Sequence, residues 1–586
     1  MTAGLRLGPM LRHVSATSAA IWVETDAPCR VTVLAGDTSA TADTFTVHGH
    51  HYAICELTGL TPGSSTPYEV RLDGGRVWPE PDSPHPPSLV CTPAPDTPVR
   101  ILFGSCRTPT DHSTSAVLRY GVDVVRAYGL RLADRRRAAM EGHEAERTDD
   151  LGDEAGPAEP TVLLMIGDQV YADELQQPMV EFLRRRREGG PREADAAQSQ
   201  PPRDEVVFYD EYAELYRQAW SDPDVRWLLS TVPTLMMFDD HDIRDDWNTS
   251  GTWRREIAEN PWWRPRITSG LGAYWVYQHL GNLSPEERAA DPVFAAVRAS
   301  RGDAAEALDG FAWRAHVEPH SYRWSYRHDI GRTRVLMVDT RCGRSVEDDS
   351  RRSILGPEGT VWLDSQLTGD VDHLVVASTL PFLMPEGVHY LEAWNEAVCA
   401  GAWGRRLRGP AERLRQELDL EHWPAFQRSF RAVEESVLSV ASGRRGEPPA
   451  SVLFLGGDVH FSYLAGARPR KGASSGTRIA QLVCSPTCNW LQPMMRRMMW
   501  VSVRALTGLL CRLLARMAGV RAPALAWRLE AGPWYDNALA TLVLDGRGSE
   551  AVWEHSPVST RAVEELSPGR TGRPGMRELV RYRLTG

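Results

Sequence analysis

The feature that most constrains this chain is a recurring pair: a short apolar run, then at once residues of the kinds that bind metal. Ile101-Leu102-Phe103 leads into Gly104-Ser105-Cys106-Arg107, and Leu164-Met165-Ile166 into Gly167-Asp168-Gln169-Val170-Tyr171. Met236-Met237-Phe238 leads into Asp239-Asp240-His241-Asp242, and Phe454-Leu455 into Gly456-Gly457-Asp458-Val459-His460. Such runs, bounded by turn residues, read as buried strands. In α/β sheets the carboxyl ends of the strands face a common crevice, so the four ends converge if the strands are neighbours. Each motif alone has a plain reading: a turn at Gly167-Asp168, a small buried hydrophobe at Cys106, a helix N-terminus at Asp239-Asp240-His241-Asp242. Their joint occurrence points to a metal centre. Two nearby cations need a bridging anionic oxygen, which Asp168 supplies. Thiolate and phenolate suit trivalent iron, while carboxylate and imidazole suit a divalent neighbour. Without cations, this many buried acids would repel one another.

At 586 residues the chain exceeds a single ordinary core. Residues 1–95 read as a small β-sandwich of fibronectin III type, with strand-like Ala19-Ala20-Ile21-Trp22-Val23-Glu24, Arg30-Val31-Thr32-Val33-Leu34 and Tyr68-Glu69-Val70-Arg71-Leu72. A Pro-rich linker over 79–98 follows. Residues 99–556 alternate apolar strands with helical segments, the pattern of an α/β domain. Charged stretches near 131–160 and 184–205 read as mobile insertions, and 557–586 as a C-terminal tail.

The net charge of −11 argues against nucleic acid as a partner. No apolar run is long enough to span a bilayer. The nearest, residues 494–520, is interrupted by Arg497, Arg504, Arg512 and Arg516 on one helical face. The expectation is an amphipathic helix covering the core with its arginines in solvent; the alternative is peripheral contact with an anionic membrane or a partner. Nine scattered cysteines and an N-terminus without leader features suggest a cytoplasmic protein, unless the start site is misassigned and the chain is secreted.

On these motifs the chain resembles the alkaline phosphatase D group of the calcineurin-like metallophosphoesterase superfamily, over nearly its whole length. The run from Asp239 to Asn248 (Asp-Asp-His-Asp-Ile-Arg-Asp-Asp-Trp-Asn) resembles one branch in particular. The superfamily opens on Asp-x-His; here Gly104-Ser105-Cys106 stands in its place, the change this group shows. The resemblance implies an α/β/β/α catalytic domain behind the β-sandwich, with Cys106, Asp168 and Tyr171 on ferric iron. It implies Asp240 and Asp458 on a second metal, calcium in this group, as hard oxygen ligands favour, and His460 on the first. The centre is then binuclear or a larger cluster, with other divalent metals as alternatives. The implied activity is hydrolysis of small-molecule phosphate mono- or diesters by in-line attack of a metal-bound hydroxide, with His241 and Asp168 catalytic. The alternatives are a phospholipase-like phosphodiesterase and, from another class, a non-catalytic scaffold stabilised by metal. Arg107 and Arg341 fit bidentate clamps on phosphate and equally ion pairs with nearby acids.

Weaker candidates remain. His48, His50 and His51 fall in a strand that reads as surface, and Cys484 and Cys488 have no second pair to complete a zinc site. Residues 381–403, with Glu386, His389, Trp394 and Trp403, form a wall or lid over the site or a plain helical insertion.

Overall fold

The computed structural model describes residues 3–142, 159–188, 201–349, 351–470, 476–491, 496, 504–557 and 574–585. Most of the two charged stretches read as insertions lies outside these residues. Of the described parts, 131–140 and 184–188 are helical, within Val124–Met140 and Gln177–Glu188, and 201–205 is turn and irregular chain.

The first ninety residues form two antiparallel sheets. One contains β1 (Leu5–Val14), β2 (Ser18–Thr25), β5 (Phe45–Val47) and β6 (His50–Thr58), in the order β1-β2-β6-β5. The other contains β3 (Arg30–Ala35), β4 (Thr38–Asp43), β7 (Ser65–Leu72) and β8 (Gly75–Trp78), in the order β4-β3-β7-β8, with β9 (Leu89–Cys91) paired to β7. Trp22, Val31, Val33, Tyr52, Leu57 and Val70 are buried in one core. The alternation of apolar and polar residues in β3 and β7 sets which face points inward.

The Pro-rich segment is docked rather than free. Ser88 Oγ lies 2.6 Å from Ser230 Oγ, the Leu89 N–H donates to Thr231 at 2.9 Å, and Trp227 Nε1 donates to the Pro86 carbonyl at 2.8 Å. Arg12, wholly buried, donates to the Gln278 carbonyl and to Asn282. His48 and His50 also serve this seam: His48 meets Asp309, and His50 lies between Glu24 and Asp210. The surface strand expected there is an interface strand.

Two further sheets build the remainder. The first runs β12-β11-β10-β20-β21-β22, from β10 (Val99–Gly104), β11 (Val162–Ile166), β12 (Thr234–Met237), β20 (Ala538–Asp545), β21 (Gly548–His555) and β22 (Arg577–Thr585). The second runs β13-β14-β15-β16-β18-β17-β19, from β13 (Tyr326–Ile330), β14 (Thr333–Val338), β15 (His373–Ser378), β16 (Ser451–Gly456), β17 (Ser462–Pro469), β18 (Arg478–Val483) and β19 (Leu525–Trp534). The apolar runs of the second sheet divide between two cores with period two. Val335, Met337, Val375, Ala377, Leu453 and Leu455 face the first sheet, whereas Leu336, Val338, Leu374, Val376, Val452 and Phe454 face helices such as Gln427–Ala441. Strands covered on both faces are apolar throughout for this reason. The result is the α/β/β/α layering expected. The end of the chain is not a tail: Arg577–Thr585 closes the first sheet as β22, antiparallel to β21.

Candidate metal centre

Three of the four motif-bearing strands are parallel neighbours, β10 beside β11 and β11 beside β12. Cys106, Asp168 and Asp240 therefore emerge side by side. The fourth, β16, belongs to the opposing sheet and brings Asp458 and His460 across the gap. Backbone hydrogen bonds stitch these ends together: Cys106 N–H to Gly167 O at 3.3 Å, Gly167 N–H to Met237 O at 2.9 Å, and Gly457 N–H to Thr379 O at 2.7 Å. The Asp458 N–H donates to Ser105 Oγ at 3.0 Å, joining the two sheets.

The chain is strained at these points. Cys106, Asp168, Asp458 and His460 have φ of 57°, 47°, 64° and 54°, the left-handed region that costs a non-glycine residue about 1–3 kcal/mol. Glycine is required beside them. A Cβ on Gly457 would collide with the Ser105 side chain and the Ile166 carbonyl, and one on Gly104 would meet the Thr487 side chain.

The donors fall into three overlapping groups, each with ligand atoms within 4.8 Å of one another: Cys106, Asp168 and His460; Asp168, Asp240 and His241; and Asp168, Asp239, Asp240 and Asp458. Cys106 Sγ lies 3.4 Å from Asp168 Oδ2. Tyr171, also buried, is close enough for Cys106 and Asp168 to act on its phenol, and its ring packs 4.7 Å from that of His241. Burial, reinforced by neighbouring negative groups, pushes the Cys106 thiol, the Tyr171 phenol and the Asp168 and Asp239 carboxyls well above their usual ranges. Asp168 Oδ1, Asp239 Oδ2 and the Tyr171 hydroxyl are buried without a hydrogen-bond partner among the described residues. Buried acids with unsatisfied oxygens are costly unless a cation compensates them. The donor set thus fits metal, with sulfur, phenol and imidazole on one side and carboxylates on the other.

Around this set the remaining side chains orient the donors. His241 Nδ1 pairs with Asp173 at 2.9 Å, and its Nε2 lies 3.7 Å from Asp245. Burial opposes its charge, yet Asp173, Asp240 and Asp168 outweigh burial and raise its pKa. Asp242 does not join the donors: it accepts from the Asp239 N–H at 3.0 Å and from Gln278 at 2.9 Å. Arg107 is buried, donating to Asp123 at 2.7 and 3.0 Å and to the Ala219 carbonyl at 2.6 Å, which commits its guanidinium away from any phosphate. Arg341, fully buried, is surrounded by Asp239, Asp240 (3.0 Å), Glu421 (2.5 Å) and Asp458 (3.5 Å). Of the two readings left open for these arginines, the structure shows the ion pairs.

The strand-end motifs contain Asp239 without giving it a role, and they do not include Glu421 or His422. His422 Nε2 lies 3.2 Å from Asp458 Oδ2, and its Nδ1 lies 2.7 Å from Glu392. Despite burial, His422 and Arg341 hold the Asp458 carboxyl below its usual range. Glu421 and His422 precede the short turn Trp423–Ala425 and follow no strand, so no strand-end pattern marks them. Glu392 lies on the helix Glu386–Cys399, so residues 381–403 buttress the site from behind. His389 on that helix is buried against Phe430 and Trp527, and burial lowers its pKa to about 3. Cys484 and Cys488 are buried free thiols outside every donor group. A cavity of about 460 Å³ lined by Arg254, His320, Trp324 and Trp362 contains none of these donors.

Two facing sheets thus bring thiol, carboxylate and imidazole groups together at their adjoining ends, a hydrolase-like α/β/β/α fold with a candidate metal-binding cluster. A family model described as PhoD-like phosphatase matches residues 151–489, more than half of the chain. The chain belongs to that family and is a phosphoester hydrolase. Residues 2–90 match a domain of unknown function, DUF7800. The solved structure of PhoD aligns with a TM-score of 0.56 and 12% identity, covering 98% of this chain and 92% of that one; at this identity the likeness is one of fold. A maltogenic amylase from S.marinus reaches a TM-score of only 0.12 at 9% identity, over 100% of this chain and 82% of that one, and carries no argument. No curated protein matches.

Proposed function

We propose that the chain hydrolyses small phosphate mono- or diesters at a two-metal centre. Cys106, Asp168, Tyr171 and His460 would hold one cation, and Asp168, Asp240 and Asp458 the other. The observation that carries the reading is that Asp168 belongs to all three donor groups, as a bridging carboxylate must. The thiol and phenol favour ferric iron in the first position, and the carboxylates favour calcium or another hard divalent ion in the second. Bound cations supply Lewis acidity to water and to the phosphate oxygens.

The chain's own residues do the rest. His241, oriented by Asp173, holds a proton on Nε2 for the leaving oxygen. Arg341 balances the acids before metal arrives, and His422, braced by Glu392, fixes the rotamer of Asp458; both are positioning residues. Arg107 braces the turn carrying Cys106. All nine cysteines are unpaired, which suits a reducing compartment such as the cytoplasm, and no helix among the described residues is long and apolar enough to cross a membrane.

The test combines metal analysis, a visible spectrum and turnover of paired aryl phosphate mono- and diesters. Iron with a charge-transfer band, and turnover abolished by Asp168→Ala, is the expected result. A fully active, iron-free, colourless protein would remove iron from the proposal, and activity surviving Asp168→Ala would remove the two-metal site itself.

A further inference from the structure

The helix Ala505–Met517 turns outward the face that the sequence pattern assigns to the core. Leu506, Leu509, Leu510, Leu513, Leu514 and Met517 are exposed, six of the twelve large hydrophobic side chains so exposed among the described residues. With about 3.6 residues per turn they share one arc. Gly508 and Ala515 lie on the opposite arc, where Gly508 meets Glu386 and Ala515 is buried. Arg512, expected in solvent, instead pairs with Glu386 and lies over the ring of Tyr390. The helix is thus fastened to Glu386–Cys399 by its polar side and presents a continuous leucine ridge. Small exposed apolar groups are common, but a ridge of six on one helix marks a docking surface.

What covers the ridge follows from charge. Residues 504–521 contain four arginines and no acidic residue. The neighbouring segment 403–417 contains five arginines against two glutamates. It joins the helix through Trp403 Nε1, which donates to the Met517 carbonyl, and through the packing of Ala411 with Ala518. Arg405, Arg406, Arg408, Arg413, Arg516 and Arg521 are exposed around it. The two segments carry seven net positive charges in a chain of net charge −11. A second copy on this ridge would bring like charges together. An apolar arc flanked by arginine on a helix of 13 residues matches a surface that is apolar within and anionic above. At about 1.5 Å per residue the helix is too short to span a bilayer.

We infer that the helix Ala505–Met517 docks the protein on an anionic lipid bilayer, its leucine ridge in the acyl boundary and its flanking arginines among the headgroups. The inference does not depend on the metal assignment. Its test is co-sedimentation of the full-length protein with phosphatidylglycerol-containing vesicles and with phosphatidylcholine vesicles. Binding to the anionic vesicles, weakened by salt, is expected. The double variant Leu509→Glu/Leu513→Glu should lower the partition more than about a hundredfold, and Arg516→Glu at least about fivefold. All these positions are exposed and outside the metal centre, so melting temperature and turnover of a soluble aryl phosphate should stay as in the wild type. A Leu510→Trp variant should shift its emission to the blue on anionic vesicles. The inference is overturned if the wild-type protein ignores vesicles, if the double variant binds as tightly, or if the ridge instead mediates a dimer that the double variant dissolves.

Discussion

Replacing Arg341 by methionine separates a substrate clamp from a structural cation. The guanidinium is fully buried among Asp239, Asp240, Glu421 and Asp458. The cost is not four times one ion pair, because three of the acids keep other partners. Glu421 retains Arg344 at 2.8 Å, Asp458 retains His422 at 3.2 Å, and Asp240 still accepts from the Asp246 N–H at 3.0 Å. Asp239 has no second partner for its carboxylate among the described residues. Orphaning one buried charge costs about 3–5 kcal/mol, which in a chain this long shifts Tm by several degrees. Cations at the same acids replace the lost charge, so metal-loaded Arg341→Met protein should recover much of that loss. The assay is a thermal melt of wild type and variant, each chelator-treated and metal-loaded, together with KM for an aryl phosphate. If the chelated variant melts within about 0.5 kcal/mol of wild type while its KM rises sharply, the ion-pair account is wrong and Arg341 contacts substrate.

Three further outcomes follow from the same geometry. Burial raises Asp242 and Asp245 to about 7 and Asp246 to about 9. Their stabilising contribution is full below the ordinary carboxylate pKa and lost as pH rises through those values, so the Tm of the chelator-treated protein should fall as pH rises to about 9; a Tm that is flat or rises over that range contradicts this. Glu392→Gln, which weakens the charge behind His422, should reduce affinity for the second metal about 10- to 100-fold, measured by calorimetric titration, with unchanged affinity refuting the relay through His422 to Asp458. Cys106→Ser should bleach the iron charge-transfer band while leaving a divalent-loaded enzyme with measurable turnover, and a band that persists would assign the colour to Tyr171 alone.

Much of the site was legible because ligands that follow strands carry a local signature. Cys106, Asp168, Asp240, Asp458 and His460 each stand directly after an apolar run, and the α/β layering follows from runs that are apolar on both faces. The role of Asp239 was not legible, and neither were Glu421 and His422. Asp239 differs from Asp240 only in which way its carboxylate turns, and Glu421 and His422 reach the site through a loop whose path no periodicity records. Arg107 and Arg341 show the same limit: composition supplies a guanidinium, but only packing decides whether it meets a phosphate or a buried aspartate.

The alternation of apolar runs with donor residues by itself determined the fold class and the kind of chemistry, since both depend on what stands next to what along the chain. The tertiary structure decided that the donors come from two opposing sheets and that the chain's end is a strand. It also decided that the leucines of the Ala505–Met517 helix face outward. Hydrophobic periodicity shows that a helix has two unlike faces, and only the neighbour that packs against it, here Glu386 to Cys399, selects which one is buried.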